Sequence, residues 1–296
     1  MLKNCRLCPR QCGVNRESGE LGYCRAGARP KVALSFLHRW EEPCLSGERG
    51  SGTVFFSHCS LGCIYCQNHA ISRGGGGREI SVARLAEIFL EQAAQGAHNI
   101  NLVTPTHYAP LIAAAIRLAR AKGLAIPVVY NTGGYDSLET IDLLAGAVDV
   151  YLPDLKYWDD RYAIRYSQAP GYFAHASRAI EAMVKQVGRP VFAADGTLAR
   201  GVMVRHLLLP GLLADACRIV EYLASTFGDA IMVSLMNQYT PPPGLALPEE
   251  LRRPVESDDY ERLLDYAAAA GIEAGYFQES GTASPAYVPD FDCRGV

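Results

Sequence analysis

The sequence predicts an α/β fold in which a parallel sheet curves into a partial (β/α)6 barrel, preceded by a small Cys-rich module. Apolar, β-branched runs alternate with helical patterns from Thr53 onward. A strand, a helix and a further strand repeated in this way imply right-handed parallel crossovers. The six or seven such units are fewer than the eight of a closed barrel, and 296 residues suffice for one barrel with an appendage.

The runs that predict strands are short and rich in Val, Ile, Leu and aromatic residues. They lie at residues 53–57, 99–104, 126–131, 148–152, 201–209, 230–236 and about 273–278.

Helix signals lie between these runs. Residues 81–95 repeat apolar side chains with a period near 3.6, with Ser81 as the N-cap and Gly96 as the stop. The stretch Asp136-Ser-Leu-Glu139 resembles a capping box. Ser257 is followed by two aspartates, which suit the positive end of a helix. The sequence therefore predicts helices at each of these positions.

Composition and charge limit the classes of function. Hydrophobic residues make up 49% and charged residues 20%, as in ordinary globular proteins. The net charge is only −3 and its cations are scattered, so we expect no nucleic-acid partner. No run approaches a membrane span, and the N-terminus lacks the features of a signal peptide. We therefore expect a cytoplasmic protein whose ten cysteines are ligands rather than disulfides.

Three cysteines follow the first predicted barrel strand: Cys59, Cys63 and Cys66, spaced Cys-X3-Cys-X2-Cys. A cubane iron-sulfur cluster takes four thiolates, so three would leave one iron open. The alternatives are a zinc site or three buried thiols. Zinc sites usually pair Cys-X2–4-Cys with a second pair of ligands, which this triplet lacks. The loop after a barrel strand is also where α/β barrels place their chemistry.

This spacing, with Tyr65 just before the third cysteine, resembles the signature of the radical S-adenosylmethionine superfamily. The resemblance implies that the three cysteines hold a 4Fe-4S cluster whose fourth iron is chelated by S-adenosylmethionine. It further implies reductive cleavage of that cofactor to a 5'-deoxyadenosyl radical. Tyr65 would lie against the adenine.

Along nearly the whole chain the resemblance is closest to the activating enzymes of glycyl radical enzymes, in the branch called pyruvate formate-lyase activating-enzyme-like. Four features carry it, each near the end of a predicted strand or just after the cysteines: Asn68, the turn Asn131-Thr132-Gly133-Gly134, Asp154-Leu155-Lys156, and Arg205. Arg205 resembles the arginine that helps hold the cofactor carboxylate, which would compensate its charge in an apolar strand. For Asp154 and Lys156 the other interpretation is a surface salt bridge.

The sequence differs from that family at two motifs, and these differences bear on the substrate more than on the chemistry. The Gly-Gly-Glu motif that usually receives the cofactor amino group is replaced by Thr104-Pro105-Thr106-His107, so threonine hydroxyls or backbone carbonyls would accept its protons. Asn131 replaces an aspartate, which removes a negative charge from its turn. The resemblance implies an electron donor such as flavodoxin or ferredoxin and hydrogen abstraction from a glycine of a partner enzyme. Modification of another peptide or a small molecule, or a non-catalytic metal protein, are the alternatives.

Residues 1–52 are predicted to be a loop-rich metal-binding module, and residues 53–296 the barrel. The module contains a second cysteine group, Cys5, Cys8, Cys12 and Cys24. Four thiolates suit a structural zinc ion or an auxiliary 4Fe-4S cluster, and a metal would order a segment with little apolar core. We favour the cluster slightly, because the neighbouring site already requires cluster assembly.

The remaining candidates are weaker. Asn237 follows the sixth predicted strand and is predicted to contact adenosine or substrate. His107 and His206 lie at strand ends, where a proton-transfer role competes with ordinary hydrogen bonding. Cys217 lies in an apolar helical stretch and is assigned to the core. No role is assigned to the remaining two cysteines, Cys44 and Cys293.

Overall fold

One curved sheet forms the centre of the protein. The computed structural model describes residues 1–278 and 289–296. Within these ranges the strands are β1 (Lys31–His38), β2 (Ser51–Phe56), β3 (Arg78–Glu79), β4 (Ile100–Val103), β5 (Val128–Thr132), β6 (Val150–Pro153), β7 (Val191–Phe192), β8 (Leu198–Leu207), β9 (Met232–Met236) and β10 (Gly275–Phe277).

The helices cover the sheet and connect its strands. They are α1 (Pro43–Ser46), α2 (His69–Ser72), α3 (Val82–Ala94), α4 (Ala109–Ala121), α5 (Leu138–Leu143), α6 (Asp160–Ser167), α7 (Tyr172–Val187), α8 (Leu213–Phe227) and α9 (Ser257–Ala269). Short 3-10 turns lie at Arg16–Ser18, Thr106–Tyr108, Gly228–Ala230 and Glu249–Leu251. Among the described residues no helix is long and apolar enough to cross a bilayer.

The strand order is β10-β9-β8-β6-β5-β4-β2-β1-β3, with β7 paired to β8. The strands from β2 to β10 along this path are parallel. Because β10 and β3 are the two ends of the described sheet, the barrel is open. The predicted α/β fold with a partial barrel is confirmed.

Each run predicted as a strand overlaps a strand of this parallel set, and the bounds differ by up to three residues. The predicted helix at 81–95 is α3, and the Ser81 hydroxyl accepts from the Arg84 N–H at 3.0 Å. The capping prediction at Asp136 is wrong by one residue, because Ser137 caps α5 and accepts from the Thr140 N–H. Asp136 is instead buried below the turn, where two hydroxyls donate to it.

The segment predicted to be loop-rich contains a strand that sequence patterns did not indicate. β1 pairs antiparallel with β2, from Val32 opposite Phe56 to His38 opposite Ser51. Its outer edge pairs with β3 at one end and then with the C-terminal residues. There the Cys293 N–H donates to the Ala33 carbonyl and the Ser35 N–H donates to the Arg294 carbonyl, both at 2.9 Å.

Side chains alternate in direction along the strands and so form two apolar layers, one on each face of the sheet. Val128 and Val202 face the helices, whereas their neighbours Val129 and Met203 face the barrel interior. The interior residues pack around Leu45 of α1, whose carbonyl accepts from the Asn99 side chain at 2.8 Å. The connection between β1 and β2 therefore fills one end of the barrel, and the carboxyl ends of the parallel strands form the other end.

Candidate active site at the cysteine loop

Cys59, Cys63 and Cys66 lie on the loop that leaves the carboxyl end of β2. Their sulfur atoms accept hydrogen bonds from that loop and from α6. The N–H groups of Leu61 and Gly62 each lie 3.4 Å from Cys59 Sγ. Such hydrogen bonds stabilise thiolates, which are the protonation state that binds metal.

The electrostatics of the three thiols also suit a metal. Burial, together with the charges of the neighbouring Cys63 and Cys66, raises the pKa of Cys59 to about 12. Burial and Cys63 likewise raise the pKa of Cys66. Three thiolates so close together repel one another, and a cluster core with positive charge removes that repulsion. This donor set therefore fits a 4Fe-4S cluster with one open iron.

The fit rests on the donor chemistry and the loop. Within residues 1–278 and 289–296 no three Cys, His, Asp or Glu side chains already stand in a coordination arrangement.

An ion pair lies beside the cysteines. Lys156 Nζ is 2.6 Å from Asp154 Oδ2, and the two side chains are only 16% and 22% exposed. Burial alone would lower the pKa of Lys156, but the Asp154 carboxylate and the Cys63 thiolate raise it above its usual value. The pair is thus not a surface salt bridge, and it interacts with Cys63. It places a fixed cation next to the cysteines.

The turns after β4 and β5 meet at the same edge of the sheet. The Thr104 N–H donates to the Asn131 carbonyl at 2.9 Å. Thr104 has φ +60°, a conformation that is rare for a β-branched residue and concentrated at functional sites. Gly134 also has positive φ, and a Cβ there would lie 2.3 Å from the Asp154 carbonyl oxygen. Only glycine therefore fits this approach of the two turns.

Thr106 and Thr132 lie together at this edge, with their hydroxyl oxygens 3.1 Å apart. Thr132 donates to Asp136 Oδ2 at 2.6 Å, and the Tyr130 hydroxyl donates to Oδ1 at 2.9 Å. The sequence did not single out Asp136 for this position. Both threonine hydroxyls are therefore part of a buried network, and their predicted contact with the cofactor stays a prediction.

A chain of hydroxyls joins Tyr65, which is predicted to bind adenine, to Cys63, which is predicted to bind the cluster. The hydroxyls of Tyr65 and Tyr157 are 2.7 Å apart, and Tyr157 lies 2.7 Å from the Ser167 hydroxyl. Ser167 donates to Cys63 Sγ at 3.0 Å. Neither Tyr157 nor Ser167 was a candidate from sequence, because 104 residues separate Ser167 from Cys63 and no local motif connects them.

Arg205 is neutralised by two glutamates. Its Nε donates to Glu42 Oε1 at 2.8 Å, and its terminal nitrogen contacts both Glu41 and Glu42. Burial would lower the pKa of Arg205, but the two carboxylates raise it well above its usual value. The sequence led us to expect compensation by the cofactor carboxylate. The structure supplies it from the connection between β1 and β2, so cofactor binding by Arg205 stays a prediction.

Of the other predicted asparagines, Asn68 follows the third cysteine and Asn237 follows β9. The Asn68 N–H donates to Cys66 Sγ, and Asn68 precedes α2. The Asn237 N–H donates to Gln278 Oε1 at 3.1 Å, after β9. The loop after β9 also reaches the cysteine loop, because the rings of Tyr239 and Tyr65 are 6.1 Å apart.

The two histidines named from sequence are held by backbone carbonyls. His107 Nε2 lies 2.8 Å from the Ser57 carbonyl oxygen, and burial lowers the pKa of His107 to about 3. His206 Nδ1 lies 2.7 Å from the Leu155 carbonyl oxygen, and burial lowers its pKa to about 4. Both rings are therefore neutral at physiological pH.

Replacing Ser167 with alanine is expected to make the reduction potential of the reconstituted cluster more negative by tens of mV. In the wild type, the Ser167 hydroxyl that donates to Cys63 Sγ stabilises the reduced, more negative cluster more than the oxidised one. The variant lacks this donor. A one-electron couple moves about 59 mV for each tenfold change in relative stability. Redox titration followed by EPR measures the shift. The control is Ser225→Ala, which removes a hydroxyl bonded to carbonyls of its own helix, and equal potentials in both variants would contradict this role.

The sequence profile of the Radical SAM superfamily matches residues 53–215, which is more than half of the chain. The matched range contains the loop with the three cysteines and the rim formed by β2 to β8. The protein therefore belongs to the radical S-adenosylmethionine superfamily. Membership implies a 4Fe-4S cluster and S-adenosylmethionine.

The chain is similar to an uncharacterized protein of Methanocaldococcus jannaschii, with 29% identity over 287 residues that cover 93% of this chain and 78% of the relative. Among solved structures, SuiB of Streptococcus suis has a TM-score of 0.50 and 16% identity, over 76% of this chain and 47% of SuiB. The FeFe-hydrogenase maturase HydG of Carboxydothermus hydrogenoformans has a TM-score of 0.51 and 14% identity, over 74% of this chain and 50% of HydG. The chain thus matches about half the length of these two structures, and the likeness concerns the fold.

Proposed function

We propose that this protein cleaves S-adenosylmethionine reductively and abstracts a hydrogen atom from a glycine of a partner glycyl radical enzyme. The observation that supports the cleavage reaction is the presence of three cysteines on the loop after β2, beside the partly buried Lys156–Asp154 pair. The abstraction from a partner glycine rests on the resemblance of the rim residues to the activating enzymes.

When bound, the cluster would supply the electron for reductive cleavage of S-adenosylmethionine, the reaction that makes hydrogen abstraction from the partner glycine possible. Cys59, Cys63 and Cys66 hold the cluster in this proposal. Lys156 places positive charge beside it, and Ser167 donates to one of its thiolates. Buried aromatic rings such as Tyr65 and Tyr157 line the loop and limit water near a radical.

The proposal assigns cofactor binding to side chains from separate strands and loops. They are Tyr65, Asn68, Thr104, Thr106, Asn131, Thr132, Asp154, Lys156, Arg205 and Asn237. An external donor such as flavodoxin or ferredoxin supplies the electron.

A polypeptide substrate is supported by the open sheet, because an incomplete barrel leaves room for a large molecule at the rim. SuiB has also been crystallised with its precursor peptide SuiA, and that structure shares this fold with a TM-score of 0.52 at 12% identity. This favours a peptide or protein over a small molecule. Modification of a peptide other than a glycyl radical enzyme is therefore the second candidate.

A deuterium-transfer experiment tests the proposal. The protein is reconstituted anaerobically, reduced, and mixed with S-adenosylmethionine and a glycyl radical enzyme that carries α-deuterated glycine. We expect 5'-deoxyadenosine that contains one deuterium, detected by mass spectrometry, and a glycyl radical detected by EPR. The control is a partner enzyme in which alanine replaces the radical-forming glycine. Unlabelled 5'-deoxyadenosine without a glycyl radical would reject the partner and leave the cleavage reaction intact.

A further inference from the structure

Four cysteines outside the catalytic loop share one cavity. Cys5, Cys8, Cys12 and Cys24 all line a cavity of about 20 Å³, together with Arg16 and Tyr23. The cysteines come from both sides of the 3-10 turn Arg16–Ser18, so the fold of the segment brings them together. No three of the four sulfur atoms already stand in a coordination arrangement, but four soft ligands on one cavity point to a metal rather than to an organic molecule.

Each of the four sulfur atoms accepts a hydrogen bond from nitrogen, as expected for metal-bound thiolates. The donors are the Arg10 N–H to Cys8, the Ala26 N–H to Cys24, the Tyr23 N–H to Cys12 at 3.4 Å, and the Arg16 guanidinium to Cys5 at 3.9 Å. The first two join each cysteine to the residue two positions later, so the backbone curls around the sulfur.

Arg16 provides a second, independent observation. Its side chain is only 2% exposed, and it donates to the carbonyl oxygens of Gly27 and His107 and to the Cys5 sulfur. No carboxylate of the described residues pairs with it. A buried guanidinium without an anion is costly. Four thiolates around a divalent ion carry a net charge of −2, which supplies that anion.

The small size of the cavity favours a single ion over a cluster. A cavity needs roughly 10–15 Å³ to hold one water molecule, so about 20 Å³ accommodates one ion. A 4Fe-4S core would place eight atoms between the sulfurs. We propose that Cys5, Cys8, Cys12 and Cys24 bind one zinc ion in tetrahedral geometry. This proposal differs from the cluster that the sequence led us to favour, and it does not depend on the proposed reaction.

The site braces the catalytic loop. Arg10, which lies between two of the ligands, donates to the Ser60 carbonyl at 2.7 Å and to the Leu61 carbonyl at 3.4 Å. The Tyr23 hydroxyl also donates to the Leu61 carbonyl, at 3.1 Å. The zinc ion therefore holds the segment whose side chains fix the backbone between Cys59 and Cys63, and its role is structural.

Metal analysis of the full chain tests this assignment. Anaerobically purified and reconstituted protein should contain one zinc and four irons per chain. Cys8→Ser should lose at least nine tenths of the zinc and keep the irons, whereas Cys63→Ser should lose iron and keep the zinc. Cys217→Ser, at a partly exposed position on α8, should change neither. Eight irons per chain, or zinc that persists in Cys8→Ser, would overturn the proposal.

A measurement on the unmodified sequence covers the case in which Cys8→Ser does not fold. Cells grown with Co²⁺ in place of Zn²⁺ should yield protein with the intense d–d bands of tetrahedral Co²⁺ and thiolate-to-cobalt charge transfer. Protein that takes up no cobalt, or binds it without tetrahedral thiolate bands, would refute the zinc site. Cleavage of S-adenosylmethionine is assayed on the same sample, so failure of the catalytic proposal is seen separately.

Discussion

Cys63→Ala is expected to produce no 5'-deoxyadenosine above background when it is reconstituted, reduced and supplied with S-adenosylmethionine. Two thiolates would remain for a cluster that takes at least three from this loop, and Ser167 would lose its acceptor. Mass spectrometry of the nucleoside products and iron analysis measure the effect. The wild-type protein should give 5'-deoxyadenosine and methionine in equal amounts.

The matched control is Cys217→Ala, which removes a partly buried thiol of α8 that lies in neither cysteine group. It should retain cleavage activity and iron. Persistent cleavage in Cys63→Ala would show that other residues hold the cluster. Formation of S-adenosylhomocysteine as the main wild-type product would instead indicate methyl transfer.

Arg205→Leu is expected to destabilise the folded protein by about 3–5 kcal/mol, because it leaves two buried carboxylates without their cation. The side chains of Glu41 and Glu42 are only 9% and 8% exposed. Burial would raise the pKa of Glu42, but Arg205 lowers it below its usual value. The stabilising contribution is therefore fully present above about pH 4.3, the pKa of free glutamate, and is lost as the pH falls below it. Anaerobic urea denaturation at pH 7 measures the loss.

Two further variants separate the causes. Arg161→Leu removes an arginine that is 79% exposed and pairs with Asp159, so its free energy of unfolding should stay close to that of the wild type. Adding Glu41→Gln and Glu42→Gln to Arg205→Leu should recover most of the lost stability. A stable Arg205→Leu protein with weakened S-adenosylmethionine binding would show that Arg205 serves the cofactor after all.

The barrel strands could be predicted from sequence because parallel strands covered on both faces are almost continuously apolar. β1 was missed because it contains Ser35 and lies beyond a Gly-rich and Cys-rich segment that resembles a loop. Its partner is β2, and antiparallel pairing across the α1 connection leaves no periodic signal of its own. The N-cap of α5 was misplaced because Asp136 and Ser137 are both good caps, and the burial of Asp136 decides between them.

The candidate site was predictable only where its residues share a local motif. The Cys-X3-Cys-X2-Cys spacing and the strand-end residues Asn131 and Asp154 carry such a signal. The partners of Arg205 do not, because Glu41 and Glu42 lie more than 160 residues away in the chain. Ser167 is also remote from Cys63, at a separation of 104 residues. Contacts of this kind follow from the three-dimensional fold, which brings a connecting segment and a helix end to positions that no sequence pattern marks.

The pairing of the C-terminal residues with β1 has a consequence for association with other polypeptides. An exposed strand edge offers free N–H and C=O groups to any extended chain, which is a common route to aggregation. Here β3 and residues 293–294 occupy the outer edge of β1, and β10 at the other end has only three residues. In the described part of the chain, little free strand edge is therefore available for pairing with an additional strand. A polypeptide that docks here has to be recognised by its side chains.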